Sequence, residues 1–159
     1  MKERIKLKKI SDETRSIRLG SCGWYLKTLG TWMDNQMNER LEPLGLSLSQ
    51  FGIIMTLLEQ EGLTQVEIGQ RVMLPGYATT RNIDKLESLG YVKRQGHEAS
   101  RRSYRILLTE SGRALAPDLY RATKSINERF LSPLEEEQKT EFHRILTVVV
   151  SKLGLHTQD

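Results

Sequence analysis

Apolar residues recur at intervals of three and four from Arg15 to about Leu41, at Cys22, Tyr25, Leu26, Leu29, Trp32, Met33, Met37 and Leu41. That period predicts one long helix with a single apolar face. Glu42-Pro43 ends it, because the residue before a proline is driven out of helical geometry. Ser47, with Gln50 three residues on, opens a second helix through a capping box. Its apolar face is expected at Phe51, Ile54, Met55 and Leu58, and Glu61-Gly62 stops it. Thr64 with Glu67 repeats the device for a short third helix bearing Val66, Ile68, Val72 and Met73. Pro75-Gly76 is a turn signal. A fourth helix, from about Gly76 to Leu89, is expected to bury Thr79, Ile83, Leu86 and Leu89, with Gly90 just past its end.

The period then changes. Tyr91–Gln95 and Ser103–Leu108 are rich in aliphatic, β-branched and aromatic residues and flank a polar tip, Gly96–Arg102, which predicts a hairpin. Thr109 caps a fifth helix towards Leu131, in which Pro117 predicts a kink or a late start. Ser132-Pro133-Leu134-Glu135 has the form of a third capping box with proline at the first helical position. The last helix runs to about Leu153 with Leu134, Phe142, Ile145, Leu146, Val149 and Leu153 as its stripe. There is no internal repeat and no low-complexity segment.

Short helix, turn, helix and hairpin in that order describe a helix-turn-helix with a wing. The fold class is therefore mainly α with a small β wing (α+β). The domains expected are a flexible basic tail over 1–14, dimerisation helices over 15–42 and 114–155, and a winged helix-turn-helix DNA-binding domain over 43–113. A winged core is complete in a much shorter chain, so the outer helices need partners for their apolar stripes. Pairing of two subunits supplies them, and its two-fold symmetry matches a palindromic operator.

Charge sharpens this picture. Residues 63–113 hold nine basic and five acidic side chains, a net +4, while the remainder sums to zero. On a wheel with Thr79, Ile83 and Leu86 inward, Tyr77, Arg81 and Ser88 point outward, with Ala78, Asp84 and Lys85 at the flanks. The start of a recognition helix goes deepest into the major groove. Tyr77, Ala78 and Arg81 are thus the candidates for base edges, and Thr80 and Lys85 for phosphates. At the hairpin tip Arg101 and Arg102 suit the negative potential of a narrow minor groove, with Lys93, Arg94 and Arg105 behind them.

Composition narrows the classes left. The hydrophobic fraction is 38%, and no apolar run approaches a membrane span. The basic start lacks the apolar core of a secretory signal, and the single cysteine, Cys22, excludes an internal disulfide; the expectation is a cytoplasmic protein. His97, His143 and His156 stand apart, so no metal spacing emerges, and no phosphate-cradling loop or nucleophile motif is present. Neither a cofactor nor an enzymatic activity is expected.

L-G-L-S-L-S-Q-F at 44–51, G-L-T-Q-V-E-I-G at 62–69, T-T-R-N-I-D-K-L-E-S-L-G-Y-V at 79–92 and S-R-R-S-Y-R-I-L-L-T-E-S-G-R at 100–113 resemble the MarR family of bacterial transcription regulators. The resemblance covers roughly residues 20–153. It implies a dimer joined through terminal helices, two winged lobes and operator binding that is usually repressive. Two places depart from the family: Ser100 stands where an aspartate commonly precedes the wing arginines, with Glu98 a substitute, and Pro75-Gly76 replaces polar residues. The resemblance also implies a small aromatic or amphipathic effector between the dimer helices and the lobe, for which Trp32, Gln36 and Phe51 are candidates. Some relatives sense peroxide through an early cysteine; Cys22 is one place out of that register, and a buried small apolar role is the alternative. A winged-helix module that binds a protein and only weakly binds DNA is the competing function.

Overall fold

The computed structural model describes residues 2–97 and 100–155, with side chains over 8–96 and 104–155. The chain divides into two compact units, Met1–Gln36 and Met37–Asp159.

The first unit is helical. Helix α1 (Lys2–Leu19) precedes α2 (Cys22–Leu41), whose last residues enter the second unit. Residues 2–14, expected as a flexible tail, thus lie in a helix. Lys, Arg, Glu, Leu and Ile dominate this segment, and no glycine or proline interrupts it before Gly20. The single helix expected from Arg15 is also broken, at Gly20-Ser21. The Gly20 and Ser21 N–H groups close α1 on the Ser16 and Arg18 carbonyls, and Ser21 Oγ accepts from the Trp24 N–H at 3.3 Å to start α2.

The second unit begins with Met37 and Leu41 buried. Glu42–Leu44 form one turn of 3-10 helix containing Pro43, and Gly45 turns the chain at φ 66°. Helix α3 (Leu48–Glu59) starts at the Ser47–Gln50 capping box the sequence predicts. Its buried stripe is Ile53, Ile54 and Leu57, while Phe51, Met55 and Leu58 are only half-buried. The buried face differs from the expected one because α3 is packed by α4, α5, α7 and the sheet together.

Strand β1 (Leu63–Thr64) leads into α4 (Gln65–Arg71), and α5 (Gly76–Ser88) follows. Strands β2 (Val92–His97) and β3 (Ser100–Leu108) complete an antiparallel sheet of order β1-β3-β2, with Leu63 opposite Ile106 and Val92 opposite Leu108. The sequence predicts two strands; β1 has two residues, too few for a period-2 pattern to register. Ile68, Ile83, Leu86, Val92 and Ile106 meet in the core beneath α3. Val66 and Met73, expected on the short third helix, are exposed, with Met73 past the end of α4, and Leu89, expected buried, is exposed at the end of α5.

Thr109 caps α6 (Glu110–Ala114), and Pro117 begins α7 (Ala116–Leu131) within its first turn, which is the interruption the sequence predicts. The expected cap at Ser132 is replaced. Ser132 stays helical and donates to the Arg129 carbonyl, and Glu135 with Gln138 forms the box that opens α8 (Glu136–Lys152). Among the described residues no single helix is long and apolar enough to cross a membrane.

Candidate nucleic-acid interface

Helix α5 is fixed from below. Thr79 is 1% exposed, and its hydroxyl donates to the Pro75 carbonyl at 3.1 Å. Gly69 on α4 lies so close that a Cβ there would stand 2.8 Å from Thr79 Oγ1, which lets the two helices approach. Ile83 and Leu86 continue the buried stripe. No side chain caps α5: its N-cap is Pro75, which leaves the first-turn N–H groups open.

The outer face of α5 carries the residues the wheel selects. Tyr77, Thr80, Arg81 and Lys85 are exposed and Ala78 is half-buried. Thr80 spends its hydroxyl proton on the Gly76 carbonyl at 3.0 Å, so a phosphate bond from it requires rotation. Asp84, the obvious helical partner for Arg81, is engaged elsewhere.

That other engagement sorts the basic residues of 63–113. Arg94 on β2 bonds Asp84 at 2.5 Å and Glu87, both on α5, and its backbone N–H also donates to Glu87 at 3.1 Å. Burial opposes the Arg94 charge, but the bonds to Asp84 and Glu87 outweigh it and hold its pKa above the ordinary arginine value. Arg105 donates to the Gly62 carbonyl at 3.0 Å, Arg71 to Gln60 at 2.5 Å, and Arg113 grips Glu61 through two bonds of 2.8 Å. Arg81, Lys85 and Lys93 have no ion pair or side-chain hydrogen bond among the described residues. Of the three residues expected behind the wing arginines, Arg94 and Arg105 are thus tied to the protein. Arg101 and Arg102 lie on β3, and their side chains fall outside the described ones, as do Glu98 and the Ser100 side chain.

One exposed residue at this surface escapes the sequence pattern. Met73, in the turn before α5, has φ 53° and is 83% exposed. Glycine commonly fills such a turn, and a methionine at this place is the signal the sequence offers.

The candidate effector residues belong to two elements. Trp32 and Gln36 are half-buried on α2, and Phe51 is half-buried on α3. An open groove of about 660 Å³ lies between α3, α7 and the start of α8. Met55, Tyr120 and Leu131 supply its apolar wall, and the pairs Lys124–Glu128 and Lys139–Glu136 its charged rim; none of the three candidates lines it. Cys22 is exposed in the single chain, at the start of α2. No cluster of metal-ligating side chains occurs among the described residues.

A family model described as MarR family matches residues 44–103. The HTH-type transcriptional repressor Rv2887 of Mycobacterium tuberculosis is 32% identical over 132 residues, covering 83% of this chain and 92% of the relative. A solved MarR transcriptional regulator from Methanosarcina mazei Go1 superposes with a TM-score of 0.79 at 30% identity, over 84% of this chain and 97% of that one. Rv2887 in complex with salicylic acid superposes with a TM-score of 0.68 at 30% identity, over 82% and 96%. Identity at this level, over nearly the full length of these relatives, joins with the shared fold to one conclusion: this chain belongs to the MarR family of helix-turn-helix transcriptional regulators.

Proposed function

We propose that the protein is a dimeric repressor that reads a palindromic operator in the cytoplasm through α5 and the β2–β3 hairpin, and has no catalytic role. The observation that carries this is the division of its basic residues. Arg71, Arg94, Arg105 and Arg113 are bound within the protein, while Arg81 stands exposed on α5 with no acidic partner among the described residues. A guanidinium so placed suits guanine O6 and N7. Tyr77 and Ala78 are its neighbours at base edges, Thr80 and Lys85 meet phosphates, and Arg101 and Arg102 take the minor groove.

Dimerisation follows from apolar surface left uncovered in each unit. Tyr25, Leu26 and Leu29 on α2 are exposed, and so are Ile145, Leu146, Val149 and Leu153 at the C-terminus. Apolar exposure of this kind on each unit suits a subunit interface. The α3–α7–α8 groove offers apolar walls, and its cations Lys124 and Lys139 already pair with its carboxylates Glu128 and Glu136, so a small amphipathic effector would rest there chiefly on apolar contact. The relative solved with salicylic acid supports an effector of that class.

Selection of bound fragments from random duplex DNA, with wild type and Arg81→Ala in parallel, tests the reading. The expected result is a palindromic site with half-sites about one helical turn apart, relaxed or lost in the variant. No enriched site, or one indifferent to Arg81, would sink it.

A further inference from the structure

Positive charge in this chain lies in two blocks, not one. Helix α1 carries seven basic and three acidic residues, and 63–113 carries nine and five, so each has a net +4. The rest of the chain has eight basic and twelve acidic residues, a net −4. The zero sum outside 63–113 therefore conceals a helix as basic as the DNA-reading region, packed into 18 residues.

The cations of α1 also differ from those of the other outer helices. On α7 and α8, Arg121, Lys124, Lys139 and Arg144 each pair with a carboxylate three or four residues away. Those charges cancel locally. On α1 every described residue, Lys8 to Leu19, is exposed, and among the described residues Lys8, Lys9 and Arg15 have no carboxylate partner. Arg18 lies over the Trp24 ring at 4.8 Å, which leaves its charge uncancelled. The helix is roughly 27 Å long at 1.5 Å per residue. A DNA duplex offers one negative charge about every 1.7 Å along its axis. A helix of that length and net charge, its described cations Lys8, Lys9, Arg15 and Arg18 uncancelled, matches a duplex backbone. It suits a membrane surface less, because its described apolar residues are few and none is aromatic.

We propose that α1 is a second DNA-gripping element, a basic helical arm that neutralises backbone phosphates outside the grooves occupied by α5 and the hairpin. It adds affinity without sequence preference, since bonds to phosphate carry no base information. This inference rests on the DNA-binding reading above.

The test compares the full chain with a variant carrying Lys2→Gln, Arg4→Gln, Lys6→Gln, Lys8→Gln and Lys9→Gln, substitutions that keep good helix formers. Binding is measured against salt on two duplexes: the selected operator alone, and the operator extended by about one helical turn at each side. The salt slope should fall by about 0.9 for each phosphate that the variant leaves unneutralised, roughly 3 to 4 for two phosphates per subunit of a dimer. The weakening should be larger on the extended duplex, and the selected half-site should stay the same. An unchanged slope on both duplexes, with Arg81→Ala still abolishing site selection, overturns the arm alone. A variant that becomes monomeric in sedimentation also overturns it, by assigning α1 to the subunit interface. Salt-independent or absent binding by the wild type overturns the DNA reading and the arm together.

Discussion

Arg94 of β2 lies 2.5 Å from Asp84 of α5, and the same guanidinium also bonds Glu87 one turn further along that helix. The contact ties the hairpin to the helix beside it with a fork that holds two carboxylates at once. A DNA reader of this shape must present helix and wing at a fixed separation. In this chain an arginine, not only apolar packing, sets it.

Arg94→Ala should therefore lower stability by about 1 kcal/mol, the low end for hydrogen bonds to charged groups. Arg94 is 19% exposed, but Asp84 is 58% and Glu87 39% exposed, so solvent screens much of the attraction. Arg94→Lys should recover only part of that stability, because an ammonium lacks the planar fork. Urea unfolding midpoints decide the matter, and an alanine variant as stable as wild type would show that the contact holds nothing in place.

Gly112 on α6 packs on Tyr91, which lies between α5 and β2. A Cβ at this position would overlap the Tyr91 carbonyl oxygen and stand 3.2 Å from the Leu108 side chain. Both neighbours are fixed, since the Tyr91 carbonyl accepts the Thr109 N–H at 3.0 Å and Leu108 is buried. Gly112→Ala should destabilise by about 1–3 kcal/mol or more through overpacking. A thermal midpoint equal to wild type would mean that α6 shifts freely, contrary to this packing.

These contacts mark what was legible in the sequence. The capping boxes at Ser47 and Thr64, the buried Thr79, Ile83 and Leu86, the turn at Gly90 and the break at Pro117 all act through neighbours within a turn or two, and the residue pattern encodes them. The outward face of α5 was legible for the same reason. The ties of Arg94 and Arg105 to residues distant in sequence were not, because a charge count treats a clamped arginine and an exposed one alike. Strand β1 is defined by its partner Ile106, not by its own two residues. The helix over Lys2–Leu19 was obscured by its high charge, which resembles a solvated tail although its residues favour helix.

Met73 is held in the left-handed region at φ 53° with its side chain in water. Such a conformation costs a residue with a Cβ about 1–2 kcal/mol, and exposure returns no burial to offset it. Glycine avoids the clash but loses about 0.5–1 kcal/mol of chain entropy on folding. Met73→Gly should accordingly stabilise the fold by roughly 0.5–1 kcal/mol. A loss of stability in calorimetry would show that the methionine side chain packs on something in solution.

The Glu67 carboxylate accepts the Thr64 backbone N–H at 2.7 Å and the Thr64 hydroxyl at 2.8 Å. These two bonds, the backbone one first, hold its pKa below the ordinary glutamate value, with smaller help from Arg105 and Arg71. A carboxyl depressed in the folded state takes up its proton more readily when the chain is unfolded. Its stabilising share is thus complete above the ordinary glutamate pKa and disappears as pH falls through the lowered one. Glu67→Gln removes that titration while keeping an acceptor for the cap. The stability gap between wild type and Glu67→Gln should be constant at neutral pH and should close on acidification across that window, as read from urea midpoints at successive pH values. Thr64→Ala, which removes the other half of the box, should cost about 1 kcal/mol at neutral pH. A gap between wild type and Glu67→Gln that stays the same down to the lowest pH at which the protein folds would show that the box does not draw on the carboxylate charge.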